Sequence, residues 1–226
     1  MSLKPTKKSD LDKSWIKDRD AKSKNVRINP EYHLIVTEGT DTEPYYFNSI
    51  KAEINKSYKD RISFTIIGAG DNTISLFSKA KAQADQSPNG FKHVWIVYDT
   101  DDFPPEHINL TAELCRQNTT EETEYHALWS NQCIELWFLL HFGFFQSDIN
   151  RKEYWPKLTT YLQSINAGEY KKNRDDMYEV LKPYVRVAIR NAKKLEEKNH
   201  GKTPATSAPG TMVYQIFEKL LPYLDL

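Results

Sequence analysis

Three acidic residues sit where phosphate chemistry would need them. Glu38 directly follows a β-branched run, His33–Thr37 (HLIVT). Asp99 and Asp101 directly follow a second one, His93–Tyr98 (HVWIVY). At a strand end, residues two apart face the same side, so Asp99 and Asp101 can aim at one point while Asp102 points elsewhere. In a parallel sheet of order 2-1-3-4 the first and third strands are neighbours, and Glu38 would meet that pair. Ligands of open α/β sheets sit outside the carboxyl ends of the strands, near the reversal of strand order. Three oxygen ligands with no Cys or His nearby suit Mg²⁺ or Mn²⁺, not zinc. Such ions keep waters and take phosphate oxygens, which is what phosphoryl transfer requires. Taken alone, a D-x-D after a strand is a weak signal that more often marks loop acids or helix caps. The Glu-Gly after the first strand is what favours a shared metal.

The elements that would position these acids follow a repeating pattern. A helix opens at Thr42, read as its cap, with Tyr46, Phe47, Ile50 and Ile54 on one side. A second strand covers Ile62–Ile67. Thr73 caps a helix to about Ala84, with Ile74, Phe77 and Ala80 inward. After the third strand, Pro104 and Pro105 start a helix to about Gln117. Tyr125–Trp129 is a fourth strand, and Ser130-Asn131 caps a helix over Cys133–Phe142. Four strand–helix repeats predict an α/β fold: a doubly wound, mostly parallel four-stranded sheet flanked by helices. From Arg151 the pattern becomes helical, with segments at Lys152–Ile165, Asp176–Lys198 (kinked or divided at Pro183) and Met212–Leu221. Thr211 caps the last, after a loop at 202–210. The expected division is a basic flexible arm at 1–30, an α/β core at 31–150 and a C-terminal helical appendage at 151–226.

Net charge is zero but unevenly spread. Residues 1–30 carry nine Lys/Arg against four Asp/Glu, residues 31–150 eight against eighteen, and residues 151–203 thirteen against seven. An acidic centre between basic flanks suits a metal core with arms that hold a polyanion; lysines that merely solubilise surface helices give the same tally. No apolar run approaches the ~18–20 residues of a membrane span. The lysine-rich start has no apolar signal core, and Cys115 and Cys133 form no C-x-x-C pair, so a cytoplasmic protein with reduced thiols is expected. There is no Walker A motif and no G-x-S-x-G elbow.

Three segments carry a resemblance to a known family. VTEGTDTEPYYF at 36–47, VYDTDDF at 97–103 and SNQCIELWFLLHF at 130–142 resemble the RloB (AbiLii-like) family. The acids after the first and third strands resemble the Toprim domain of topoisomerases, primases and OLD-type nucleases. Gln132 stands where the family pattern leads one to expect proline. The resemblance implies a Toprim-like core, a nuclease of phage defence or abortive infection, and an ABC-type ATPase partner. From the OLD-like nucleases it also implies a second metal position, with Glu43, Ser130 and Glu135 as the matching residues, hence two Mg²⁺ or Mn²⁺ ions. Glu135 lies among Ile134, Leu136, Trp137 and Phe138, so an acid there needs a partner, either a metal or the helix start.

Cations for a scissile phosphate are Lys171, Lys172 and Arg174, with Arg186 and Arg190 on the long helix; as single residues each also reads as a solvated basic face. His141 is expected as a core histidine or helix-end partner, and Trp95, Trp129 and Trp137 as core. The expected function is metal-dependent cleavage of DNA or RNA. The alternative is a subunit that binds nucleic acid or a partner ATPase without hydrolysis; a homo-oligomer is also allowed for. Primase or topoisomerase chemistry at the same acids is disfavoured, since the chain is too short for the domain holding a topoisomerase tyrosine.

Overall fold

The computed structural model describes residues 30–70, 73–100 and 103–226. Asp101 and nearly all of the expected arm at 1–30 lie outside the described residues. β1 (Glu31–Thr37), β2 (Ile62–Gly68), β3 (His93–Asp99) and β4 (Glu124–Asn131) are parallel neighbours, and a short β5 (Gly210–Thr211) pairs antiparallel with β4, in the order β2-β1-β3-β4-β5. The sheet therefore has five strands, not four. β5 lies in a stretch read as loop and cap, because two residues are too few to show periodicity.

Helices cover both faces: α1 (Thr42–Tyr58), α2 (Thr73–Gln86), α3 (Pro105–Asn118), α4 (Glu135–Leu140), α5 (Arg151–Ser164), α6 (Met177–Leu181), α7 (Val185–Lys198) and α8 (Tyr214–Leu220). Alternation along the strands divides the core in two. Leu34, Val36, Val94 and Ile96 pack with α2 and α3. Ile35, Trp95, Val97 and Leu128 pack with α1 and the C-terminal helices α4 to α8 in one apolar cluster. Pro183 does divide the long C-terminal helix, through a 3-10 turn at Lys182–Tyr184. On α2, Leu76 is fully buried where Ile74 was expected.

The expected threonine and serine caps are placed differently. Thr42 is the first residue of α1, and its hydroxyl donates to the Lys172 carbonyl at 2.7 Å. Thr73 begins α2, and its hydroxyl has no partner among the described residues. β4 continues through Ser130 and Asn131 because β5 pairs with both. For Thr42 and Ser130, tertiary pairing overrides a local signal; the Thr211 hydroxyl does accept from the Val213 amide, at 3.3 Å.

His141, just past α4, is 1% exposed; its Nδ1–H donates to the Trp137 carbonyl at 2.9 Å. Burial pushes its pKa down from 6.5 to about 4. The unfolded chain therefore binds a proton that the folded chain refuses. Stability from this group is complete above pH 6.5 and is lost as pH falls towards 4, by about 3 kcal/mol at most. Urea denaturation at stepped pH should show this decline, and His141→Leu should flatten it. An unchanged slope in that variant would remove His141 as the cause.

Candidate functional site

The carboxyl ends of β1 and β3 open on a cleft of ≈ 360 Å³, bordered by Glu38, Glu43, Asp99, Glu135, Arg151 and Lys172. β1 and β3 are adjacent, and the Glu38 amide extends their ladder by donating to the Val97 carbonyl at 2.9 Å. The Glu38 Oε2 in turn accepts from the Asp99 amide at 3.1 Å. Asp99, the last residue of β3, accepts at Oδ1 from the Ile134 amide at 3.0 Å, which ties the acid to the start of α4. The strand ends thus bring Glu38 and Asp99 together.

Glu43 and Glu135 enter from two helix starts and are 5% and 2% exposed. Glu43 lies in the first turn of α1, where the helix dipole favours a negative charge. Its carboxyl is nonetheless raised above the usual range, by burial first and by the charge of Glu135 second; backbone amides and Lys172 oppose this. Glu135 Oε1 accepts from the Tyr170 hydroxyl at 2.8 Å and the Trp155 indole at 3.0 Å. Burial and the Glu135 charge hold the Tyr170 hydroxyl un-ionised.

The Glu43 carboxylate lies directly over Gly39. A methyl group on Gly39 would come within 2.2 Å of Glu43 Oε2, closer than any real contact. Gly39→Ala should therefore displace this carboxylate and weaken cleft function by about 10-fold, while stability falls by only ~1 kcal/mol. Activity or metal affinity equal to wild type would show that the position of Glu43 is unimportant.

The other expected site residues fall in three groups. Lys172 borders the cleft, its Nζ 5.4 Å from the Trp155 ring centroid. Arg174 is committed elsewhere: Nε and Nη2 bind Asp176, and Nη1 donates to the carbonyls of Ala167 and Glu169. Its expected role as a phosphate ligand is replaced by a loop-fastening one. Lys171 is exposed beside Lys172, and Arg186 and Arg190 are exposed on α7; none of the three borders the cleft. Ser130 stands in register with Asp99, but its buried hydroxyl bonds the Thr211 hydroxyl at 2.8 Å and does not border the cleft.

Arg151, Trp155 and Tyr170 complete the site, and sequence reasoning missed them. A second depression of ≈ 310 Å³, bordered also by Cys133 and Trp155, adjoins the cleft and shares Asp99, Glu135, Arg151 and Lys172 with it. A tryptophan among the basic residues Arg151, Lys152 and Lys157 was the available signal; in the structure Trp155 is 45% exposed. The Gln132 side chain accepts from the Arg151 amide at 2.8 Å and so fixes the start of α5.

A model of the family described as RloB-like protein matches residues 33–220. The chain belongs to the RloB-like family. The match runs from within β1, at residue 33, through β5 and includes all the cleft residues of this RloB-like chain. No curated protein and no solved structure matches it. No helix among its described residues is long and apolar enough to cross a membrane. Groups of acidic and histidine side chains able to bind a metal are present. Those whose three ligand atoms lie within 4.8 Å of one another, among the described residues, are Glu31–His33–His93 and His93–Glu124–His126; the cleft acids are not so closely drawn together.

Proposed function

We propose that the protein hydrolyses phosphodiester bonds of nucleic acid with divalent metal held by the acidic cleft, as an effector in phage defence. The observation that carries this reading is the combination at one place. Among the described residues, five acidic side chains (Glu38, Asp41, Glu43, Asp99 and Glu135) border a single cleft, and basic groups with a half-exposed tryptophan adjoin it.

The cleft fits a hard cation. Glu43 and Glu135 are both buried at the cleft, and burial first and the Glu135 charge second raise the Glu43 carboxyl, a cost that a bound cation would relieve. Every carboxylate offers only oxygen, which suits Mg²⁺ or Mn²⁺. Glu38 and Asp99, with Glu43 and Glu135, are the residues that would hold such ions, in the manner of a Toprim centre. Bound there, such ions polarise phosphate oxygens and activate water. The chain's own contribution is positioning. Lys172 and Arg151 attract backbone phosphates beside the acids, and Trp155 offers a face for a base. Tyr170 and the Trp155 indole hold the Glu135 carboxylate in one orientation.

The RloB-like family is associated with defence-type proteins. An ABC-type ATPase partner would supply the nucleotide hydrolysis for which this chain has no Walker A sequence. A second reading, a subunit that binds nucleic acid or the ATPase without cutting, is favoured by the basic groups and half-exposed tryptophan that adjoin the cleft.

The deciding experiment incubates the purified chain, alone and with a co-expressed ATPase partner, with single- and double-stranded DNA and RNA in Mg²⁺ or Mn²⁺. Cleavage that EDTA abolishes is the expected result. Binding without cleavage in every condition would replace this reading with the second.

A further inference from the structure

We propose that His93, Glu124 and His126 form a zinc-type divalent metal site at the amino ends of β3 and β4, at the opposite end of the sheet from the acidic cleft. His93 Nδ1, His126 Nε2 and Glu124 Oε2 face one another at 3.0, 3.5 and 3.7 Å. A tetrahedral ion with bonds of about 2.0–2.1 Å has ligand–ligand edges of ~3.4 Å, which these separations bracket. An octahedral face with similar bonds has edges of about 3.0 Å, shorter than two of the three. Two imidazoles and one carboxylate are the donor set of many zinc sites that keep a fourth position for water. Glu124 and His126 border a surface depression of ≈ 450 Å³, which gives water access.

Strand register builds the set. His93 pairs with Glu124, and Trp95 with His126, so period-two alternation puts all four on one face. The His126 ring stacks on Trp95 at 3.9 Å between centroids and 17° between planes, which fixes its orientation.

An independent feature points the same way. Glu31 Oε1 lies 3.4 Å from His93 Nε2, the nitrogen that stays protonated when Nδ1 binds an ion. A carboxylate in that outer position is the usual partner of a metal-bound histidine. His33 is excluded as a ligand. The Trp95 indole can only donate, and it donates to His33 Nδ1 at 3.1 Å, which places the His33 proton on Nε2, 2.8 Å from Glu31. Lys92 and Lys219, at 3.4 and 3.9 Å from Glu124, balance its charge when no ion is present; Lys219 is half-exposed and able to withdraw.

The test uses the full chain, purified without a histidine tag and stripped by chelator. Zn²⁺ is titrated against a chromophoric chelator, and Co²⁺ absorption reports geometry. One tight Zn²⁺ is expected, with intense tetrahedral-type Co²⁺ bands. Affinity should fall ~100-fold or more in His126→Ala and Glu124→Gln, and about 10-fold in Glu31→Gln. Asp99→Asn, in the distant cleft, should bind Zn²⁺ as wild type does. Circular dichroism confirms that each variant folds. Unchanged Zn²⁺ affinity in folded His126→Ala, no Zn²⁺ binding by wild type, or a weak octahedral Co²⁺ spectrum would each overturn the proposal.

Discussion

Asp99→Asn is expected to lower metal-dependent phosphodiester cleavage by about 10³-fold or more, equivalent to ~4 kcal/mol of transition-state stabilisation, while the fold survives. The amide oxygen of asparagine can still accept from the Ile134 amide, so the strand end stays joined to α4. What disappears is one negative charge beside Glu38, at the site where, on the proposed function, charge would hold the ion. Initial rates on the best substrate, with matched circular dichroism spectra, measure the effect. Ser130→Ala and Arg186→Ala serve as controls, because neither side chain borders the cleft. If Asp99→Asn cuts as well as wild type, the metal lies elsewhere.

Trp137→Ala is expected to cost about 3–5 kcal/mol of stability. The side chain is fully buried, stacks on Phe217 at 5.0 Å and donates from its indole to the Tyr46 hydroxyl at 3.0 Å. Truncation would leave a cavity between α1, α4 and α8 and a buried hydroxyl without its donor. Trp137→Phe keeps most of the apolar volume and should cost much less. Urea unfolding of both variants measures the difference. A loss below ~2 kcal/mol for the alanine variant would mean that the helices close over the gap. Because α4 also carries Glu135, the same variant should lose cleft function at temperatures where it is still mostly folded.

The strands were legible in the sequence because β-branched runs bounded by glycine and turn residues are local signals. The placement of Glu38 and Asp99 at strand ends was legible for the same reason; the adjacency of β1 and β3 was assumed with a 2-1-3-4 order, and the structure has it. Caps were read less well. Thr42 prefers a carbonyl 130 positions away, and Ser130 prefers a hydroxyl on β5. No window of sequence contains such partners.

The basic residues show the division most sharply. Lys172 and Arg174 are two positions apart and equally plausible from composition. One borders the cleft, and the other spends its donors on Asp176 and two carbonyls of its own loop. The same holds at the other end of the sheet. The tripeptide EYH occurs at 31–33 and again at 124–126, a repeat that local reading can notice but not interpret. Only the order β1-β3-β4 brings both copies against His93.

By itself, then, the sequence determined an α/β sheet with helices after its strands and carboxylates at two strand ends, because alternation and punctuation act over a few residues. The tertiary structure alone decided which further side chains share the cleft, that a fifth strand closes the edge, and that histidines from two strands face one another. Those choices depend on register and on contacts between segments far apart in the chain, and such contacts leave no local trace.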